Sequence, residues 1–329
     1  MDVLAKLTNC KVFSTVSQET DENEWLAARS RGIGGSDVGA ICGVSEYSSA
    51  RLIYLKKTGQ YEESIKSNEA SRERMHFGHM LEPIVADEFA RRTGKKIAVS
   101  PATLVHKDHP WALANIDRFI VDDEGNPIGV LECKTASEYM NDSWDEGALP
   151  MSYIYQLNWY LWITGLEYGA FACLVGGNKF YYYEVFRNDD LLNAVMIPTA
   201  DRFWNYHVKN LVQPELSGSG ADTEYVAENN KEVVKNSEIT LSDDVMDELA
   251  DTVIMCKAKI KELEKTMEEA ANRIKDKMRE NEIGYTSNHV VKWSPRKQTR
   301  VDTETLKTKY PEIYKNCVKE INFRVFTIK

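Results

Sequence analysis

The chain is 329 residues long, 43% hydrophobic and 28% charged, which is the balance of a soluble globular protein. No apolar run reaches the length of a membrane span, and Met1 to Gln18 lacks a basic segment followed by an apolar one, so the chain is read as cytoplasmic with no membrane partner. The net charge of −10 disfavours nucleic acid as a partner at first sight, although an acidic total also arises when a carboxylate cluster awaits cations. The six cysteines, Cys10, Cys42, Cys133, Cys173, Cys256 and Cys317, are too scattered for the close pairs of zinc or iron–sulphur sites, and disulfides are not expected in a cytosolic chain.

Taken in order, the first distinctive segment is Arg29-Ser30-Arg31-Gly32-Ile33-Gly34-Gly35-Ser36-Asp37. Gly34 and Gly35 leave backbone N–H groups open to an anion, and Ser36 is placed to cap a following helix; an ordinary turn uses the same residues. No strand clearly precedes it, as a dinucleotide fingerprint would require. Arg51, Lys56 and Lys57, and later Arg91, Arg92, Lys95 and Lys96, are charge runs that either follow a nucleic-acid path or are solvated faces.

Ile84 to Phe89 has helical spacing, which puts Glu82 in the first turn and Pro83 at the first helical position. His76, His79 and Glu82 recur every three residues, as in a transition-metal site or on an ordinary helix surface. Phe119 to Val121, Ile128 to Leu131 and Phe180 to Val185 read as strands, and the turn formers Asp122-Asp123-Glu124-Gly125-Asn126-Pro127 join the first two as a hairpin. Gln156 and Tyr160, four apart, share a helix face, while Tyr155, Trp159 and Trp162 read as core.

Composition changes at Gln213. Residues 1–214 read as a mixed α/β body, 215–241 as a polar linker opening with Pro214-Glu215-Leu216-Ser217-Gly218-Ser219-Gly220, and 242–329 as a helical and mixed accessory region. Ser242 is the expected N-cap of a long helix with Asp243 and Asp244 in its first turn. Cys256, Ile260, Leu263, Met267, Ala270 and Ile274 then alternate steps of four and three, a heptad seam suited to oligomerisation or to docking a partner. Val290 to Trp293 and Phe323 to Phe326 alternate like strands, and no solenoid repeat occurs.

The chemistry concentrates between Asp117 and Lys134. Side chains two apart on a strand share a face, so Glu132 and Lys134 point together while Cys133 points away, and Asp117 approaches from across the hairpin. Two carboxylates and an ammonium then converge at the end of a sheet. Hard oxygen ligands suit Mg2+ or Mn2+, which activate water and neutralise charge in phosphodiester hydrolysis, and a lysine can orient the water. The Cys133 backbone carbonyl, rather than its thiol, is placed to complete the metal shell. Such triplets also occur as solvated residues, but the apolar lead-in Ile128-Gly129-Val130-Leu131 argues for a buried approach, where unpaired charge is costly.

Together with Gly78-His79-Met80-Leu81-Glu82-Pro83, Leu131-Glu132-Cys133-Lys134 and the Gln156/Tyr160 pair, the glycine-rich segment resembles the YqaJ and lambda exonuclease family of phage-type recombination exonucleases, within the PD-(D/E)xK nuclease superfamily. The resemblance implies a restriction-endonuclease-like α/β core with a mixed central sheet flanked by helices. It implies that Asp117, Glu132, Glu82 and the Cys133 carbonyl hold two metal ions, that Lys134 serves the attacking water, and that Gln156 and Tyr160 support the site. Arg29 and Ser36 match positions that hold a terminal 5′ phosphate, with Arg31 a second candidate beside Gly34 and Gly35. The implied activity is 5′→3′ digestion of double-stranded DNA ends to leave 3′ single-stranded tails for recombination, with a RecT-like single-strand annealing protein as partner and a trimeric ring as assembly. A structure-specific or restriction-like endonuclease, and a nuclease-fold scaffold that recruits an annealing protein, are the alternative readings.

Overall fold

A computed structural model describes residues 4, 6–16, 20–61, 65–145, 147, 149–241, 243–319 and 323–328. The chain divides into two compact units, Met1–Glu228 and Asn229–Lys329. The first runs through β1 (Cys10–Ser14), α1 (Glu22–Ser30), α2 (Gly35–Ile41), α3 (Ala50–Lys57), α4 (Ile65–Thr93), β2 (Lys96–Val99), β3 (Thr103–His106), β4 (Leu113–Ala114), β5 (Arg118–Val121) and β6 (Pro127–Ala136). A 3-10 turn (Glu138–Met140) leads to α5 (Asn141–Asp145), α6 (Met151–Thr164), β7 (Tyr168–Val175) and β8 (Lys179–Phe186). A helical stretch follows, with α7 (Asp189–Leu191) and α8 (Ile197–Arg202) each running into a π-helical turn, and α9 (Gly220–Asn229) ends the unit.

Five strands form one mixed sheet in the order β2-β5-β6-β7-β8, in which β6 and β7 are parallel and all other neighbours antiparallel. A parallel pair needs a crossover, and α6 supplies it. Strand parity divides the core. Leu131, Ile120, Ala170 and Ala172 pack with Val85, Ala86 and Phe89 of α4, whereas Val130, Phe119, Phe171 and Cys173 pack with Leu157, Leu161 and other residues of α6. The sheet is therefore a middle layer between α4 and α6, the mixed α/β class expected. The β5–β6 hairpin closes as its composition requires. Asp122 accepts N–H bonds from Glu124 and Asn126 at 3.0 and 2.8 Å, and Gly125 adopts a φ of +84°, which favours glycine. Tyr155 and Trp159 are buried in the core as expected, and half-buried Trp162 stacks on His106.

Several local expectations are corrected. Pro83 lies inside α4, not at its start, because helix formers continue upstream through Arg72, Glu73, Arg74 and Met75; packing of Val85, Ala86 and Phe89 offsets the proline's missing N–H. Ser36 is inside α2, whose N-cap is Gly34, and the Asp37 carboxylate accepts the Gly34 N–H at 2.9 Å. The basic runs are largely engaged within the chain. Arg51 bonds Pro214 and Gln213, Lys57 pairs with Asp37, Arg91 and Arg92 pair with Glu88, Lys95 pairs with Glu184 and Lys96 with Asp123.

The second unit contains α10 (Asp244–Met278), a hairpin of β9 (Ile283–Tyr285) and β10 (Val290–Lys292), and the short α11 (Thr303–Lys309) and α12 (Pro311–Cys317). Ser242 lies outside the described residues, and Asp243 caps α10 by accepting the Val245 N–H at 3.1 Å. The seam residues Cys256, Ile260, Leu263, Met267, Ala270 and Ile274 are exposed. Among the described residues Phe323–Phe326 joins no sheet, and Phe326 instead receives the Lys257 ammonium at 5.9 Å.

The segment read as a linker is partly ordered against the first unit. Asp222 of α9 is buried and accepts bonds from Ser49 Oγ at 2.5 Å, Ser217 N at 2.6 Å and Ser217 Oγ at 2.7 Å. Asp222→Ala is expected to destabilise the full chain by about 2–4 kcal/mol, because three donors lose a charged acceptor. Urea denaturation followed by tryptophan fluorescence reads the first unit, where six of the seven tryptophans lie. An unchanged midpoint would show that water replaces the carboxylate at little cost.

Candidate active site

The sheet geometry brings the expected residues together at one end. Asp117 immediately precedes β5, and its Oδ2 accepts the backbone N–H of Cys133 across the hairpin at 2.8 Å. On β6, Glu132 and Lys134 face α6 as their parity demands, and Lys134 Nζ donates to Glu132 Oε1 at 2.6 Å. Gln156 of α6 reaches the same oxygen with Nε2 at 2.5 Å and accepts from Lys134 Nζ at 3.0 Å through Oε1. Its Nε2 also donates to the Tyr160 hydroxyl at 3.2 Å, one turn further on.

Glu132 is 3% exposed, and its second oxygen, Oε2, is buried without a hydrogen-bond partner among the described residues. An orphaned carboxylate oxygen is rare in a protein interior because it carries its full desolvation penalty. Glu132 lines a cleft of about 250 Å³ together with Met75, His79, Glu82, Asp117, Lys134 and Thr135, among others. Glu82 approaches from α4, where Arg118 Nη1 donates to its Oε1 at 2.5 Å. His79 stands 3.9 Å from Glu82 Oε2. Among the described residues, these side chains do not make a ready cluster of three metal-ligating groups; Glu82 is turned toward Arg118, and Glu132 toward Lys134.

The electrostatics follow from crowding acids in a buried place. Burial, then the nearby charges of Glu132 and Glu82, pushes the Asp117 carboxyl well above the usual range. Burial likewise raises Glu132, against the opposing pull of Lys134. Burial works against the charge on Lys134, but Glu132 and Asp117 outweigh it and hold it as an ammonium, its pKa above that of a free lysine. Burial and then Asp117 push the Cys133 thiol far up, so it is no nucleophile.

A second grouping lies behind Tyr160. A Cβ on Gly35 would overlap the Tyr160 ring, so only glycine lets α2 approach α6 this closely. Next to it, Arg29 Nη2 donates to Ser36 Oγ at 3.1 Å, and its guanidinium rests on the Trp25 ring at 4.5 Å. Arg29 has no carboxylate partner among the described residues. Arg31 is exposed and is not brought to Ser36.

Three participants escaped the sequence reading. Arg118 was detectable by parity, since the residue after Asp117 must face α4 and hence Glu82. Tyr153, whose ring lies 4.9 Å from Lys134 Nζ, sits three residues before Gln156 on the same face of α6. Lys57 carried no signal beyond a charge run.

A model of the YqaJ-like viral recombinase domain matches residues 24–167. The chain is 37% identical over 315 residues to the protein YqaJ of Bacillus subtilis (strain 168), covering 95% of this chain and 96% of that protein. Among solved structures, an alkaline exonuclease (LHK-Exo) from Laribacter hongkongensis is 18% identical, with a TM-score of 0.47 over 58% of this chain and 94% of that one. A phage-related exonuclease from Haemophilus somnus 129PT is 10% identical, with a TM-score of 0.41 over 55% of this chain and 96% of that one.

Because Asp117 and Glu132 have raised pKa values, the folded protein keeps protons that the unfolded chain has already lost. With divalent metal removed, the melting temperature is therefore expected to fall as pH rises above about 4, where an ordinary carboxyl ionises. Asp117→Asn should raise the melting temperature at neutral pH and flatten this dependence. A variant with the parent's pH slope would remove Asp117 as its source.

Proposed function

Because the chain belongs to the YqaJ-like viral recombinase family, we propose that it is a metal-dependent DNA exonuclease of the PD-(D/E)xK type, acting 5′→3′ on duplex ends to leave 3′ single-stranded tails. The observation that carries this reading is the buried, orphaned Oε2 of Glu132, a residue that lines one cleft together with Asp117 and Glu82. The donors are all hard oxygens, which suit Mg2+ or Mn2+ rather than a thiophilic metal. Asp117, Glu132, Glu82 and the Cys133 carbonyl would hold two such ions. When bound, these ions neutralise charge on the phosphodiester and make a water more acidic.

The chain's own residues account for the rest. Gln156 and Lys134 hold one Glu132 oxygen and leave the other buried and unpaired among the described residues. Lys134 stays protonated and so acts as a donor that orients the water or meets developing charge, not as the base. Arg118 neutralises Glu82 when no other cation is near. Arg29, stacked on Trp25 and bonded to Ser36 but without a carboxylate partner among the described residues, is the group suited to grip a terminal 5′ phosphate. Gripping that phosphate within reach of the carboxylates sets the polarity.

Its place is the resection step of recombination by strand annealing. A RecT-like annealing protein would take the new tail, docking on the 242–329 region, and a trimeric ring would keep the enzyme on its duplex. The chain would work in the cytoplasm of a bacterial host.

The test is digestion of a linear duplex with a 5′ phosphate and a label on one chosen strand, in Mg2+, beside Glu132→Gln. Loss of the 5′-ended strand only is expected, with the variant slower by about 100-fold or more. A closed circular duplex should survive. Cutting of the circle would turn the reading to an endonuclease, and no digestion of either substrate by the folded parent would turn it to a recruiting scaffold.

A further inference from the structure

Behind the Arg29–Ser36 contact stands a buried cation that the catalytic cluster does not use. Lys57 ends α3, its side chain is 8% exposed, and its ammonium makes two bonds. One goes to Asp37 Oδ2 at 2.7 Å and the other to the Arg29 backbone carbonyl at 2.9 Å. Asp37 in turn accepts the Gly34 N–H at 2.9 Å. A single side chain thus ties the residue that carries the guanidinium to the segment that carries Ser36.

This is an unusual use of a lysine. In the last turn of a helix, lysine ordinarily extends into water or bonds the carbonyls of its own helix. Burying the ammonium is costly unless it is paired and its donors find acceptors; Asp37 and the Arg29 carbonyl take two of the three. The Arg29 carbonyl lies in the last turn of α1, where helical donors run out, and Lys57 supplies the missing one.

We infer that Lys57 is a positioning residue for recognition of the terminal 5′ phosphate, an assignment that rests on the reading of Arg29 and Ser36 given above. It acts in two ways. It fixes the backbone from which Arg29 projects, so the guanidinium held against Trp25 and Ser36 has a set origin. It also neutralises Asp37, the immediate neighbour of Ser36. Without Lys57, the Asp37 carboxylate would remain largely buried and uncompensated, and the Arg29 guanidinium, already bonded to Ser36, would be the cation at hand. A carboxylate drawn to Arg29 competes with the phosphate for the same N–H donors.

The experiment measures binding without cleavage. Full-length Glu132→Gln in EDTA is titrated by fluorescence anisotropy with two labelled duplexes that differ only in a 5′ phosphate or 5′ hydroxyl. The parent of this series should prefer the phosphate, and adding Lys57→Met should cut that preference by about tenfold. Adding Asp37→Asn to Lys57→Met removes both buried charges and should restore part of the preference. A preference that survives Lys57→Met overturns the inference and leaves the phosphate site standing. No preference in the parent overturns the phosphate site and this inference with it. Should tryptophan fluorescence show Lys57→Met unfolded, Asp37→Asn alone is compared with the double variant. A weaker preference in the double then supports the tether to Arg29, and equal preferences overturn it.

Discussion

Glu132 must be buried to face α6 and ionised to be useful, and these demands oppose each other. The surrounding structure is arranged around that conflict. Lys134 is two residues away on the same strand because strand parity puts it on the same face. Gln156 arrives from α6 because β6 and β7 run parallel, and their crossover must lie against the sheet. Both partners meet one oxygen and leave the other bare. The apolar half of β6, through Leu131 and Cys133, meanwhile packs toward α4 and anchors the strand that carries the charges. One strand therefore serves as core on one face and as site on the other.

Much of this is legible in the sequence. The period of two around Glu132 is a local property, and so is the turn chemistry of Asp122 to Asn126. Gln156 and Tyr160 declared their shared face by spacing alone. What stayed hidden required contacts between distant segments. Nothing in the run Arg51, Lys56, Lys57 says that Lys57 will be buried against Asp37, because that depends on where α3 lands relative to α2. The start of α4 was misplaced because proline is a strong local signal, whereas the packing that lets a helix continue through Pro83 is tertiary. Ser36 was a fair choice for a cap, yet Asp37 reaches the free N–H of Gly34 first. Phe323 to Phe326 had a strand's alternation and no strand to pair with, and pairing is not written in one segment.

The excess acid of the sequence also acquires a physical meaning. Asp117, Glu132 and Glu82 share one cleft, and the cations that meet them there belong to the protein itself. Arg118 and Lys134 keep the cluster from being prohibitively unfavourable when the fold stands alone. A protein made this way sets part of its stability against its chemistry, as raised carboxyl pKa values record.

Tyr160 has an unusual position in this arrangement. Its hydroxyl meets Gln156 and thereby the Glu132 carboxylate, while its ring fills the space that any side chain at position 35 would need. The carboxylate cluster and the start of α2 thus share a wall one ring thick. A smaller residue at position 160 would open room beside Gly35 and at once loosen the hydrogen bonds around Gln156. Drift at these two positions is coupled: neither can change size alone without disturbing both the start of α2 and the way the Glu132 carboxylate is held.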